Sequence, residues 1–298
     1  MSECDVLILG DYFCDVIFTG LPEPPRLGTD LYSHSLDLVP GGAYIMTTAL
    51  HRLGVDVRWM ARLGNDLFSQ FVFNETQREG LDTSLFQTFE RPLRIVSVSF
   101  SFVHDRGFIS YIDPMPDIPP QPIIAALRPR WVVNAPFDSS PECRQVMEFI
   151  HQHGGRVFTD CQYVTTTIRE PGLTETLRMV DIFAPNQSEA SQLTGETDPR
   201  IAAARLGEYC PLVIVKCGPQ GAFAQTGMQS WHSPAIQVEV VDTTGAGDSF
   251  NAGFLAAHLH SEPIDTCLRY GNICGGLSTT RCGGASAVPT LEELHRYL

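Results

Sequence analysis

Val241-Asp242-Thr243-Thr244-Gly245-Ala246-Gly247-Asp248-Ser249-Phe250 joins an apolar run to a helical one through a glycine turn that ends in a carboxylate. Upstream, Ala235 to Val241 is apolar and β-branched, which predicts a strand. Downstream, Phe250, Ala252, Phe254, Leu255, Ala256 and Leu259 recur with helical spacing from about Asp248. The turn therefore stands at a helix N-terminus. Gly245 and Gly247 carry no Cβ, so around Ala246 the backbone can turn sharply and several N–H groups can converge on one anion, helped by the helix dipole. Such a cradle suits the charge that develops on a transferring phosphoryl group. Asp248 is then placed to take a hydroxyl proton from an acceptor beside the cradle, as a general base. The same residues also suit plain helix capping, so the reading depends on the rest of the chain.

Working outward, short apolar runs recur at Val6-Leu7-Ile8-Leu9-Gly10, Trp131-Val132-Val133, Val157-Phe158-Thr159-Asp160, Ile182-Phe183-Ala184 and Leu212-Val213-Ile214-Val215. Helix-like segments lie between them, such as Cys143 to His151, Glu189 to Leu193 and Ile201 to Tyr209. Continuous apolar strands alternating with amphipathic helices predict a mostly parallel sheet covered on both faces, a three-layer α/β/α fold. Two stretches break the rhythm. Val96, Val98, Phe100 and Phe102 alternate with Ser97, Ser99 and Ser101, and His104-Asp105-Arg106-Gly107 turns the chain into Phe108-Ile109-Ser110-Tyr111, a β-hairpin pattern. The segment Asp15 to Leu38, with Pro22, Pro24, Pro25 and Gly28, reads as extended chain around a loop.

The 298 residues, 43% of them hydrophobic, suffice for one large core. A formal charge of −14 argues against nucleic acid or an anionic membrane as partner, since counterion release needs clustered Lys and Arg. No run approaches the ~20 apolar residues of a membrane span, and Met1 to Asp5 lacks the regions of a signal peptide, so a cytoplasmic protein is expected. The nine cysteines are scattered and never form C-x-x-C, which favours neither a disulfide framework nor zinc. Walker-type, zincin and α/β-hydrolase motifs are absent.

The string Asp242-Thr243-Thr244-Gly245-Ala246-Gly247-Asp248 resembles the C-terminal signature D-T-x-G-A-G-D of the ribokinase-like carbohydrate kinases, the phosphofructokinase-B family. Pro40-Gly41-Gly42-Ala43 before the helical run Ile45 to Leu53, followed by Met60 to Asp66, resembles that family's N-terminal signature in order and spacing. The resemblance runs from the strand before Gly10 to Pro289. It implies one kinase domain over residues 1–298, with a small β-sheet lid built from segments about 15–38 and 94–113 that closes over substrate. It also implies an anion hole at 245 to 247 with Asp248 as base, ATP as phosphoryl donor and Mg2+. The lid's apolar face is a candidate homodimer contact.

Asp11 and Asp15 stand at the end of the first strand, the edge where ligands bind in open α/β sheets. A carboxylate can clamp two hydroxyls of a polyol, and Asp15 matches the family's substrate aspartate. Gly41 and Gly42 offer close backbone approach, and Met46 stands where many members carry a sugar-binding Asn. Asn186 and Glu189 fit a helix cap and also resemble the family's N-x-x-E motif, which places magnesium and phosphate, often through water. On the nucleotide side, Lys216, Gly218 and Gly221 resemble a loop beside the phosphates, and Asn272 lies in the segment that borders adenine. Asp242 and the loop around Gly284 are candidates for carbonyl ligation of a monovalent cation such as K+.

The expected activity is ATP-dependent phosphorylation of a hydroxymethyl group on a sugar or nucleoside. Two alternatives stay open. A sugar-phosphate acceptor would require Arg26, Arg94, His104 or Arg106 to reach its phosphate, and a regulatory protein could keep the fold and its sugar or nucleotide binding without turnover. A dinucleotide oxidoreductase is disfavoured, because the next glycine after Gly247 is Gly253 and breaks the G-x-G-x-x-G spacing.

Overall fold

Val6–Leu9 sends its alternate side chains into two different cores: Val6 and Ile8 join one buried cluster, Leu7 and Leu9 the other. Trp131 and Val133 oppose Val132 in the same way, and Leu212 and Ile214 oppose Val213 and Val215. A strand buried on both faces must be apolar at every position, which is why these runs read as continuous. The computed structural model describes residues 4–101, 106–134, 137–161 and 166–298.

Its main sheet has eight strands, in the spatial order Gln229–Ser233, Ala222–Thr226, Leu212–Lys216, Ile182–Phe183, Arg156–Thr159, Trp131–Val133, Val6–Leu9 and Val57–Met60. All pairings are parallel from Val57–Met60 through to Leu212–Lys216, and an antiparallel hairpin closes the other edge. Helices Ala43–Arg52, Ala246–Leu259 and Ile264–Ser278 bury side chains in one core, and helices Pro141–Gln152, Gln187–Thr194 and Pro199–Leu206 in the other. The architecture is the expected three-layer α/β/α sandwich. No helix among the described residues is long and apolar enough to cross a membrane.

One expected strand is absent. Residues Ala235 to Val241 form no strand, and the sheet instead ends with Gln229–Ser233, whose Gln-Ser-Trp-His-Ser sequence carries little strand signal. Pro234 follows that strand and has no N–H with which to extend the ladder. Beyond it the chain leaves the sheet to line a cavity with Ala235, Ile236 and Val238, while Val240 and Val241 are mostly exposed.

A second sheet of four strands has the order Ser35–Gly42, Tyr12–Thr19, Ile95–Ser101, Arg106–Ile112. It occupies the two expected lid segments and extends the first of them to Tyr12 and Gly42. Of the turn expected at His104-Asp105-Arg106-Gly107, residues 104 and 105 lie outside the described residues, whereas Arg106 and Gly107 already belong to the returning strand, opposite Ser101 and Phe100. Register fixes the two faces: Asp15 lies opposite Val39 and Ser97, and Ser97 opposite Ser110. Asp15, Ser97, Ser99 and Ser110 therefore share one face, with Ser97 and Ser99 buried. The opposite face carries Val16, Leu36, Leu38, Val98, Ile109 and Tyr111, of which Leu36, Leu38, Ile109 and Tyr111 are exposed. The serine face is thus covered along its central strand, at Ile95, Ser97 and Ser99, while Phe108, Ser110 and Ile112 on the edge strand are exposed.

Candidate active site

The glycine turn begins the helix Ala246–Leu259, with Gly245 as its N-cap at φ 69 and no capping side chain. Gly245 meets Gly284 backbone to backbone: a Cβ on Gly245 would stand 2.8 Å from the Gly284 Cα and 2.7 Å from Ile45 Cδ1. The Asp242 carboxylate ties the two loops together. One oxygen accepts from the Thr244 N–H at 2.9 Å and its hydroxyl at 2.8 Å, and the other from the Gly283 N–H at 3.0 Å. The first turn lines a cavity of about 510 Å³; Ala246 donates to Thr243 O at 3.3 Å, and the Gly247 and Asp248 N–H groups are those a helix leaves for a ligand.

The polar end of that cavity gathers Asp160, Asn186, Glu189, Lys216, Gly247 and Asp248. Lys216 ends the strand Leu212–Lys216 and makes an ion pair with Asp160, which follows the strand Arg156–Thr159. Asn251 donates to the same Asp160 oxygen at 2.6 Å. A Cβ on Gly247 would lie 3.3 Å from Lys216 Nζ, so the lysine sits directly against the turn. Burial and the neighbouring Asp160 charge raise the Asp248 carboxyl to about 7, with Lys216 pulling the other way. Glu189 is also pushed up to about 7, by burial first. Asn186 and Glu189 form a reciprocal capping box, with Asn186 Oδ1 accepting from the Glu189 N–H at 3.0 Å and Glu189 Oε2 from the Asn186 N–H at 2.7 Å. Capping and cavity lining are therefore the same arrangement.

The far end is apolar, with Pro219, Ile236, Val238, Phe250 and Gly276 among its walls. Gly218 begins a 3-10 turn that Cys217 closes by donating to Gly221 O at 2.8 Å. Asn272 reaches this end, but its amide donates to Ser233 O at 2.9 Å.

Asp15, Gly41 and Gly42 do not line that cavity. Gly41 packs on Asp15 so closely that a Cβ would stand 2.1 Å from Asp15 Oδ2. Gly42, at φ 62, caps the helix Ala43–Arg52. Burial, followed by the Asp242 charge, raises the Asp15 carboxyl to about 7, and Asp15 in turn helps raise Asp248. Asp15 thus shares one electrostatic neighbourhood with Asp242 and Asp248, more than 220 residues further along the chain. The structure does not bring all the candidates there. Both Asp11 oxygens are held by Arg62, and Met46 is 1% exposed in the core.

Asp160 and Asn251 were not among the candidates read from sequence. Asp160 ends a strand at the ligand edge just as Asp11 does. Asn251 is a polar residue in an apolar helix, three positions after Asp248 and hence on its face.

Residues 136–291 match the model described as pfkB family carbohydrate kinase, just over half the chain. Over 299 residues the chain is 25% identical to ribokinase of Bacillus subtilis (strain 168), covering 99% of each protein. Among solved structures it is similar to Arabidopsis thaliana ribokinase complexed with ribose and ATP (TM-score 0.81, 20% identity, 100% of this chain and 99% of that one). An E. coli protein solved with ATP and Mg2+ gives a TM-score of 0.79 at 22% identity, covering 99% of this chain and 98% of that one.

Proposed function

The chain belongs to the pfkB family of carbohydrate kinases, and on that footing we propose that it transfers the γ-phosphoryl group of ATP to a hydroxymethyl group of a sugar or nucleoside. The observation that carries this reading is the uncapped Gly245–Gly247 turn with Asp248 beside Lys216 at the polar end of the cavity. The apolar end takes the donor's base. The first-turn N–H groups and Lys216 hold its terminal phosphate, and Asp15 orients the acceptor from the serine face of the lid. Asp248 takes the acceptor's hydroxyl proton as the new O–P bond forms and the bond to ADP breaks.

Magnesium fits the donor set there, which is oxygen-only and sparse: Asp160, Asn186 and Glu189, with no cluster of three His, Cys, Asp or Glu ligands among the described residues. An ion that keeps several waters needs no more. Bound with ATP, it would be held through these oxygens, and the chemistry it supplies is neutralisation of phosphate charge. Thr244 O stands against Gly284 where the two loops meet, beside the Asp242 carboxylate, which supports K+ as activator; full activity in sodium alone would count against it.

The acceptor is an uncharged hydroxyl compound. Arg94 binds Asp113 through Nε at 2.9 Å and Nη2 at 3.1 Å, and Arg26 pairs with Glu23. Arg94 is thereby held in a two-point pair and Arg26 stays on the exposed surface, while His104 and the Arg106 side chain lie outside the described residues. We also propose a homodimer through the apolar lid face, where Leu36, Leu38, Ile109 and Tyr111 are exposed. Light scattering on Ile109→Lys would show a monomer if that face pairs.

An ATP-consumption screen with magnesium over sugars, nucleosides and sugar phosphates tests the activity. Turnover with a neutral sugar or nucleoside is expected. Turnover with sugar phosphates alone, or with nothing in the panel, would overturn the reading.

A further inference from the structure

We propose that Asn134 is a specificity-determining residue whose side-chain amide hydrogen-bonds a hydroxyl of the phosphate acceptor. The inference rests on the kinase reading above and adds to it a residue that no motif marks.

Asn134 directly follows Trp131–Val133, the strand lying between Val6–Leu9 and Arg156–Thr159, so it stands at the ligand edge of the sheet. Its φ is 56, in the left-handed region that non-glycine residues seldom enter. The other described non-glycine residues with positive φ are Arg128 and Ser261, and both follow helices, where a left-handed residue commonly ends the element. Among these three, Asn134 alone ends a strand. Strained residues held at such an edge are characteristic of ligand sites.

The side chain has a definite address. The Asn134 Nδ2 lies 3.9 Å from the point where a Cβ on Gly10 would stand, and Ala43 Cβ lies 3.5 Å from that same point. Ala43 donates its N–H to Asp11 O at 3.1 Å and immediately follows Gly41 and Gly42, the glycines beside Asp15. The amide therefore stands beside the start of the helix Ala43–Arg52, which the glycines next to Asp15 lead into. Its backbone N–H is already satisfied, by Phe158 O at 3.3 Å. The side-chain amide has no hydrogen-bond partner among the described residues, although it is half-buried. Two donors and an acceptor thus remain open to a ligand. A ribose-like or hexose-like polyol would use both kinds. Met46, buried on the adjoining helix, offers neither.

Asparagine also tolerates this conformation for local reasons alone, and a glycine substitution separates the two explanations. Asn134→Gly keeps the left-handed backbone and removes the amide. The probes are D-ribose, D-fructose and adenosine with their monodeoxy analogues, assayed for turnover with MgATP and for binding by calorimetry. The expected result is an unchanged or higher Tm and an ATP KM within twofold of wild type. For the preferred acceptor, kcat/KM and affinity should fall roughly tenfold, the scale of one lost hydrogen bond. For one deoxy analogue the variant and wild type should become equal. Asn134→Asp, which keeps the acceptor oxygen but loses the donors, should fall between them. Wild-type kcat/KM and affinity in Asn134→Gly would overturn the proposal, as would equal weakening of ATP and acceptor. Absence of turnover by the wild type would instead sink the kinase reading, and the calorimetric comparison would still decide the role of Asn134.

Discussion

Gly41→Ala should disable acceptor binding without disturbing the nucleotide side. The added Cβ would stand 2.1 Å from Asp15 Oδ2, whereas ordinary contacts begin at 3.4 Å. The carboxylate must retreat by the difference, 1.3 Å. Gly41 lies in a regular strand opposite Phe13 and is not among the positive-φ glycines, so alanine brings no backbone strain. The change is therefore a displacement of one carboxylate. A misplacement of about 1 Å costs on the order of 10²-fold in rate, or about 2.7 kcal/mol of transition-state stabilisation. Steady-state kcat/KM for the acceptor at saturating ATP should fall by roughly that factor. The Kd for ATP, measured by calorimetry, and the Tm should stay near wild type. An acceptor kcat/KM close to wild type would refute the reasoning, because Asp15 would then either not read the substrate or move freely.

Gly247→Val extends a Cβ that already stands 3.3 Å from Lys216 Nζ, and rapid-quench assays should find phosphoryl transfer reduced by more than about 10²-fold. Near-normal transfer would place the anion hole elsewhere. Lys216→Met leaves Asp160 with Asn251 but without its cation, and both members of the pair are mostly buried, at 11% and 20% side-chain exposure. Urea unfolding should show a loss of about 3 kcal/mol, and an unchanged midpoint would contradict the pairing. Stability should also depend on pH. Burial holds Asp15, Asp248 and Glu189 at about 7, above their ordinary 3.8, 3.8 and 4.5, so the folded protein keeps protons that the unfolded chain has released. Their contribution is complete below about pH 4 and lost as pH rises through 7, so the ligand-free Tm should be higher at pH 5 than at pH 7.5. The opposite order would mean these groups ionise freely.

The parallel sheet was legible because burial on both faces leaves Val6–Leu9, and Leu212–Lys216 up to Val215, no polar positions. The glycine turn was legible because close backbone approach restricts residue type at Gly245 and Gly41. The antiparallel edge was not. Ala235 to Val241 has strand composition because apolar side chains line a cavity, a demand that looks like sheet burial in a sequence. Asp160, Asn251 and Asn134 escaped for another reason. Each owes its place to the sheet edge or a helix face, which fold-level geometry supplies and no local spacing announces. Asp11 illustrates the converse, a carboxylate at the right edge that Arg62 has already taken.

The account depends most on Asp248 as the base, and its pH-rate profile tests that directly. Burial beside Asp160 raises the Asp248 carboxyl to about 7 in the ligand-free protein, and wild-type kcat at saturating ATP and acceptor should show an acid limb as the base is protonated. Asp248→Asn should lower kcat by roughly 10²–10⁴-fold and abolish that acid limb, with ATP affinity unchanged. Near-wild-type turnover in Asp248→Asn, or an acid limb that survives the substitution, would contradict the assignment.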